Sequence, residues 1–588
     1  IAFAALTASI AIIAIFMPIG FMPGIVGKYF YQFALTITAA IAFSYIDAVT
    51  LTPMRTSLTM GEDKREGKRK IDALMHKLEG VYIKVLTWCL DNRAKTLIAA
   101  LAVFLLVIPF FTQLNREFLP PQDQSRLFLI LKTKPGSSLE FTDTKAREIE
   151  DVLMGRDEIA RYMLAVGGFG GGQSNSANCY LTMKDFKDRP IDPELGRPLT
   201  QQEFAVVLKK ELSKVKGIFT IVSDPSLRGF SSGRSYPIEF SLKGPGWDTL
   251  IDLSEKSKEL MLETGLMTDA DTDFKGVIPE IQIIPDREKA LARGVSINDI
   301  GRTIQSMIAG VVAGKFAKGG RRYDIRVKVR DEDFTDIKDL SQIMIRNNRG
   351  ELISLGEVTK IVEDKGMLSI NRTDRARAIQ VYGNLAPGAS QANVLKVVKE
   401  KIEKILPENY IIESSGSAQA FDESSAGLLF VFGIGIMIAY MVLASQFNSF
   451  IHPLTVLLAL PFSVTGAIIA LWLGGASLNI YSMIGIILLM GIVKKNSIIL
   501  VDFTNQLREQ GLGLKEAILE ACPIRLRPII MTSVSTIVGT LPAALGTGAG
   551  YETRVPLALA VIGGVLLSTL LTLVVIPCFY SLVSKEKF

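Results

Sequence analysis

At 588 residues the chain is long enough for several folding units. Hydrophobic residues make up 48% of it and mean hydropathy is +0.32, high for a soluble protein, yet 21% of residues are charged; membrane spans joined to a large water-exposed domain account for both. The net charge of +6 is explained by basic loops on one side of a membrane, and with no nucleic-acid-binding fold suggested beside it, it argues against a nucleic-acid partner.

In chain order, apolar spans are predicted at 1–21, 29–52, 96–112, 426–444, 450–474, 479–503, 527–546 and 555–582, eight helices of which most approach the roughly 20 residues that cross a bilayer. The first reads as a span rather than a signal peptide, because it lacks a basic leader and a cleavage signature and another span follows at once. Pro18 and Pro53 lie 35 residues apart, as do Pro542 and Pro577, and each pair brackets two apolar stretches around a Gly-containing turn. A gapless offset of 524 also sets Gly24 against Gly548. This internal repeat predicts the tail of one membrane half-unit followed by a complete second one. Halves of equal size would put roughly 430 residues upstream of Ile1, which is then not expected to be the natural start.

The short loops set the orientation. Residues 55–95 hold ten Lys/Arg, whereas 22–28 holds only Lys28 and 545–554 only Arg554, so 55–95 is expected in the cytoplasm and 113–425 outside it. The resulting order is two membrane helices in 1–54, a cytoplasmic linker in 55–95, one helix in 96–112, an external domain in 113–425 and five helices in 426–588. Within the linker, Leu74, Leu78, Val81, Val85 and Trp88 fall on one helical stripe with Lys77 and Lys84 off it. Such a stripe fits an interfacial helix on the cytoplasmic leaflet and equally a linker helix packed against protein.

The external segment repeats an α+β pattern. Strand-like RLFLILKT, a helix over 139–154, strands over 162–167 and 178–183, a helix over 200–213 and strand-like IFTIVSD follow the split βαβ plan. A second unit is expected to begin at PIEFSLKG with a helix at 247–262 and to resume as RAIQVYGNL, a helix at 390–405 and YIIESSG. Between its parts, SINDIGRTIQSMIAG, RRYDIRVKVR and SQIMIRN suggest an inserted subdomain. Of the four cysteines only Cys179 lies here, so this domain is expected to form no internal disulfide.

The segment MIGIILLMGIVKKNSIILVDF places Lys494, Lys495, Asn496 and Asp502 inside or at the end of an apolar span, where ionisable side chains mark a pathway. Lys494 and Lys495 are about 100 degrees apart around a helix and cannot face the same partner, which leaves one of them able to snorkel toward the surface; replacing Lys494 is expected to matter less than replacing Lys495 if it faces lipid or the interface. In the next span Arg525 and Thr532 are seven residues apart and share a face. With Lys495 and Asn496 they make a hydrogen-bonded cluster that is expected to contain no carboxylate and to take its anionic partners from outside this chain. Asp47, six residues before Pro53, belongs either to the cytoplasmic interface or to this ionisable system.

The stretches FMPGIVGKYFYQFALTI, LTP at 51–53, FLPPQDQ, AVGGFG, GVSINDI, GIVKKNSIILVDF, RLRPIIMTS and VIPCFY, in this order, resemble the resistance-nodulation-division transporters, most closely their hydrophobe/amphiphile branch in Gram-negative inner membranes. The resemblance covers essentially the whole chain, as helices five through twelve of twelve. It implies a polytopic α-helical membrane protein with a large periplasmic α+β domain: duplicated split βαβ subdomains plus an inserted docking subdomain. It further implies a proton-driven antiporter, not an enzyme and without a cofactor, that exports amphiphilic small molecules as a homotrimer with a periplasmic adaptor protein and an outer-membrane channel. By residue match, the proton relay falls on Lys495, Asn496, Arg525 and Thr532, while the family's paired aspartates have no counterpart here. The substrate-pocket positions fall on Leu164, Val166, Phe169 and Tyr180. One position usually held by phenylalanine is Gly171, and Leu164 and Val166 also alternate as core strand residues would.

Among other classes, general-base or metal chemistry outside the membrane lacks a histidine, since His76 is placed in the cytoplasm and His452 at a membrane edge. Heavy-metal cation export is the nearer alternative and needs soft ligands such as Met163, Met183 and Cys179 to converge. A protein-translocation accessory component shares the helix plan but not the large repeated external domain. A membrane scaffold gives no reason for Lys495 at depth.

Overall fold

A computed structural model of the chain describes residues 2–21, 24–59, 70–167, 173–228, 236–274, 276–330, 336–367, 369–386, 388–548 and 550–584. It forms two compact units, one of residues 1–132, 140–273 and 371–588, the other of residues 133–139 and 274–370.

Apolar runs in the first unit form α1 (Ala2–Phe16), α2 (Gly24–Val49), α5 (Arg93–Leu105) and α6 (Val107–Gln113), with the more polar α3 (Leu51–Thr59) and the amphipathic α4 (Lys70–Asp91) between them. The break between α5 and α6 at Leu106 has a cause in the sequence: Pro109 has no N–H for the carbonyl four residues back, and its ring crowds that turn. In α4 the expected stripe of Leu78, Val81, Val85 and Trp88 faces outward, while Tyr82, Leu86, Cys89 and Leu90 on the opposite side join the helical core. The Tyr82 hydroxyl donates to the Leu573 carbonyl at 2.7 Å. The helix thus combines both expected roles, one face packed on protein and the other apolar and uncovered.

The external part of this unit holds two antiparallel sheets. β1 (Arg126–Lys132), α7 (Leu139–Met154), β2 (Ile159–Val166), β3 (Ser176–Met183), α8 (Gln201–Leu212) and β4 (Phe219–Ser223) build a sheet in the order β2-β3-β1-β4. Period-two burial along β1 turns Leu127, Leu129 and Leu131 toward Ala146, Ile149 and Leu153 of α7 and Phe204, Leu208 and Leu212 of α8. Cys179 lies fully inside this core. The second sheet combines β5 (Ile238–Lys243) and β6 (Asp271–Thr272) with strands more than 95 residues further on, and its first helix is α9 (Trp247–Glu263).

The intervening chain is the second unit. It carries β7 (Val277–Pro285), α10 (Arg287–Ala292), α11 (Ile297–Ile304), β8 (Val311–Lys318), β9 (Arg321–Val327), α12 (Ile337–Ser341), β10 (Met344–Arg346), β11 (Leu352–Ser354), α13 (Leu355–Val358) and β12 (Thr359–Met367). β7 pairs β12 along its full length, and Ile300, Ile345, Leu355 and Val358 centre its core. β8 and β9 form a hairpin exposed on both faces. The chain then returns to the second sheet through β13 (Arg372–Thr373), β14 (Ala376–Gly383), α14 (Gln391–Glu403) and β15 (Ile411–Ser414), giving the order β13-β14-β5-β15.

The remaining helices are α15 (Gly416–Phe447), α16 (His452–Leu457), α17 (Ala459–Leu473), α18 (Ile480–Glu509), α19 (Leu514–Ala544) and α20 (Tyr551–Val583). Asn448, left-handed at φ 45°, ends α15, and Pro461 interrupts the span 450–474 at Leu458 as Pro109 does earlier. Among the described residues six helices are long and apolar enough to cross a membrane, against the eight expected. The first expected span yields only the short α1, and α19 is diluted by Arg525, Arg527, three prolines and its hydroxyl residues. α17 and α20 meet backbone to backbone: a Cβ added to Gly466 would lie 2.3 Å from the Gly563 carbonyl oxygen.

Candidate functional site

α18 starts at Asn479, whose side chain accepts from the backbone N–H of Tyr481 and Ser482 while Ser482 answers in a capping box. This fixes the register that carries Lys495, Asn496 and Asp502. A cavity of about 440 Å³ opens among α1, α2, α18 and α19, with Lys495, Asp502, Gln506 and Arg525 in its lining beside Ser44 and Tyr45. The Arg525 guanidinium lies over the Phe503 ring, 4.2 Å from its centroid. Its Nε has no hydrogen-bond partner among the described residues. Asn496 and Thr532 are not in the cavity lining; the Thr532 hydroxyl donates to Asn496 Oδ1 at 3.5 Å, at the long limit for such a bond, and to the Ile529 carbonyl at 3.0 Å. The four relay candidates therefore divide into a cavity pair and an interhelical pair.

One expectation is corrected here, and the condition on Lys494 is settled. The cavity that Lys495 and Arg525 line does hold a carboxylate from this chain: Asp502 is seven residues after Lys495, hence on the same face two turns along. The spacing argument already applied to Arg525 and Thr532 would have found it. Lys494 does not face lipid or the interface. It is 1% exposed, on the face shared with the buried Met490, Ile498 and Val501, and its Nζ has no partner among the described residues. Asp47 accepts from the Thr52 hydroxyl at 3.3 Å and is not in the cavity lining, although Tyr45 and Ala48 are.

In the first external sheet, β2 pairs β3 with Leu164 opposite Cys179 and Val166 opposite Ala177. Paired residues share a face, and Cys179 and Ala177 are wholly buried, so Leu164 and Val166 pack toward the helix-covered core. Tyr180 is 49% exposed on the other face, beside Met163 and with its ring 4.8 Å from that of Phe128. The structure thus separates Leu164 and Val166 from Tyr180. Phe169 and Gly171 lie outside the described residues. The same parity separates the candidate soft metal ligands: Met163 faces out, while Cys179 and Met183 are buried on the opposite side. Among the described residues no group of three or more His, Cys, Asp or Glu is placed to hold a metal ion.

A second cavity of about 410 Å³ borders α8 and is lined by Leu119, Val206, Leu385, Asp224, Lys209 and Asp269, among others. Sequence reasoning missed it because its walls come from segments as far apart as Glu117 and Gln391. Lys209 pairs with Asp269 at 2.5 Å across it. Burial pushes the Asp224 carboxyl above the usual carboxylate range, against hydrogen bonds from Ser226 and Gln202. Next to it, burial acts on Asp123 in the same sense but is outweighed by the fully enclosed Arg189, which donates to both its oxygens at 2.6 and 2.7 Å and holds it below its ordinary value.

Glu203, also in this wall, closes the capping box of α8 with Thr200 and takes two hydrogen bonds from Arg197, at 2.9 and 2.7 Å. Arg197 holds its carboxyl at about 2, below the ordinary 4.5. A depressed carboxylate stabilises the fold above its unfolded value, and that contribution is lost as pH falls from about 4.5 toward 2. Glu203→Gln is therefore expected to lower the melting temperature at pH 7, with the gap from the parent narrowing on acidification below about 4.5; a gap constant with pH would show that the ionised carboxylate adds nothing.

The sequence pattern of the AcrB/AcrD/AcrF family matches residues 1–584. The chain belongs to that family. It is thus a resistance-nodulation-division transporter chain, multi-pass in the inner membrane with a large extracytoplasmic domain. It is similar to the multidrug resistance protein MdtC of Photorhabdus laumondii subsp. laumondii, with 27% identity over 99% of this chain and 56% of that protein. Two crystal forms of a heavy metal efflux pump share the fold with a TM-score of 0.84 at 22% identity, covering 99% of this chain and 58% of theirs. The chain thus spans somewhat over half the length of these relatives.

Proposed function

We propose that this family member is helices five through twelve of an exporter of the hydrophobe/amphiphile branch, in which inward proton flow drives substrate out across the Gram-negative envelope. The observation that carries this reading is the membrane cavity with Lys495, Asp502 and Arg525 in its walls, since ionisable groups at that depth are costly unless they serve a pathway. Paired carboxylates of the other half-unit are expected to complete it. The two sheets of the first unit are read as porter subdomains and the second unit as the docking subdomain, which a homotrimer, a periplasmic adaptor and an outer-membrane channel would engage. Asn496 and Thr532 are assigned to the relay through their contact.

For the cargo, two readings stand against each other. The exposed Tyr180 and Met163, with the half-buried Phe128 ring against Tyr180, support amphiphilic organic molecules. Heavy-metal cations are the second reading, the cargo named for the pump whose two crystal forms share this fold; Met163 is one soft ligand free to serve, and further ligands would have to come from elsewhere. No observation on this chain favours protein translocation. One experiment separates the two: efflux-deficient cells expressing the full-length protein are challenged with dyes, detergents, antibiotics and copper, silver and zinc salts. Amphiphile export predicts that Tyr180→Ala and Phe169→Ala shift susceptibility to some organic compounds and to no metal salt. Protection against metal salts alone, lost in Met163→Leu, overturns it in favour of metal export.

A further inference from the structure

Asp502 is the one carboxylate among the described residues lining the membrane cavity. From Lys495 it lies two helical turns, about 10 Å, toward the cytoplasmic end of α18. Gln506, one turn further and exposed, donates to Asp502 Oδ2 at 2.7 Å. The carboxylate is half-buried, so it meets the cavity on one side and lies within a turn of water on the other. Of the elements packed around it, α19 presents the cation of Arg525, α2 presents Ser44 and Tyr45, α18 itself presents Lys495 and, toward the cytoplasm, Glu509, and α1 presents Ser9 and Ile12. Arg525 is suited to act as its counter-charge, since its guanidinium is held over Phe503 with one N–H uncommitted among the described residues.

We propose that Asp502 is the proton-releasing group of the cavity, taking up each proton that leaves the Lys495 region and passing it to the cytoplasm, with Arg525 as the counter-charge that favours its release. The proposal rests on the coupling reading given above. A proton bound to the carboxylate neutralises it and frees Arg525; its loss to water restores the pair, so each cycle returns Asp502 to the same state with one proton moved. Gln506 holds the carboxylate toward the aqueous end.

The test uses full-length protein in proteoliposomes, measuring export and substrate-dependent proton release across pH for Asp502→Asn, Asp502→Glu and Lys495→Ala. Asp502→Asn is expected to lose proton release by about tenfold or more with unaltered melting temperature, and Asp502→Glu to recover most of it with a displaced pH profile. Parent-like proton release in Asp502→Asn while Lys495→Ala is inactive overturns the proposal and leaves the coupling reading standing. Parent-like behaviour of both variants overturns the coupling reading itself. Loss of activity in Asp502→Asn that tracks a lowered melting temperature, with no rescue by glutamate, assigns Asp502 a merely structural pairing with Arg525 and also overturns the proposal.

Discussion

Lys495→Ala in the full-length transporter is expected to stop export by about two orders of magnitude or more at matched expression, while substrate binding persists. The side chain projects into the cavity and is exposed in this chain, so truncating it disturbs little packing. What it removes is the cation that pairs with carboxylates when they are ionised and lets them go when they are protonated, the differential on which coupling depends. The external sheets stay as they were, which is why binding should survive. Lys494→Met is the matched control. It exchanges a buried amine with no partner among the described residues for an apolar chain of similar length, and is expected to leave folding intact or firmer. Normal transport by Lys495→Ala would remove this lysine from the coupling machinery.

Gly466→Leu is expected to abolish assembly of the helical bundle, and Gly466→Ala to cost about 1–3 kcal/mol or more. In a membrane, helices associate through close packing rather than water exclusion, and small residues permit it. At this crossing the obstruction is main chain: a Cβ on Gly466 would meet the Gly563 oxygen at 2.3 Å, and one on Gly563 would meet the Gly466 oxygen at 2.4 Å and the Ala470 methyl at 2.3 Å. Neither helix can yield without shifting along its length. Gly433 and Gly539, with nothing within 4 Å of an added Cβ, should accept alanine with parent-like melting. Thermal unfolding of detergent-purified variants decides the matter, and equal melting of Gly466→Ala and Gly539→Ala would sink the packing argument.

What could be read from the sequence was what depends on near neighbours in the chain. The strand–helix order of both external sheets followed from alternating burial and helical periodicity, as along Leu127, Leu129 and Leu131. What could not be read depends on which face meets which neighbour. Adjacent lysines 494 and 495 look alike in sequence, and only the packing of α18 sends one inside and the other to the cavity. Leu164, Val166 and Tyr180 were grouped by resemblance, yet strand parity sets the first two against the last. The cavity beside α8 left no signal, because residues 117–121, 202–224, 268–269 and 384–391 meet only in three dimensions.

The enclosure of the cysteines has a practical side. Cys89, Cys179, Cys522 and Cys578 are all buried and unpaired. Burial pushes the Cys179 thiol up to about 12, so almost none of it is thiolate at neutral pH. An oxidising compartment then has little to attack on the external sheet, and maleimide reagents find no ready native target. A single cysteine introduced at the exposed Lys318 of the β8–β9 hairpin, or at Tyr45 in the cavity wall, would therefore carry a fluorophore or spin label in the otherwise unaltered protein, reporting on surface access and on cavity hydration one position at a time.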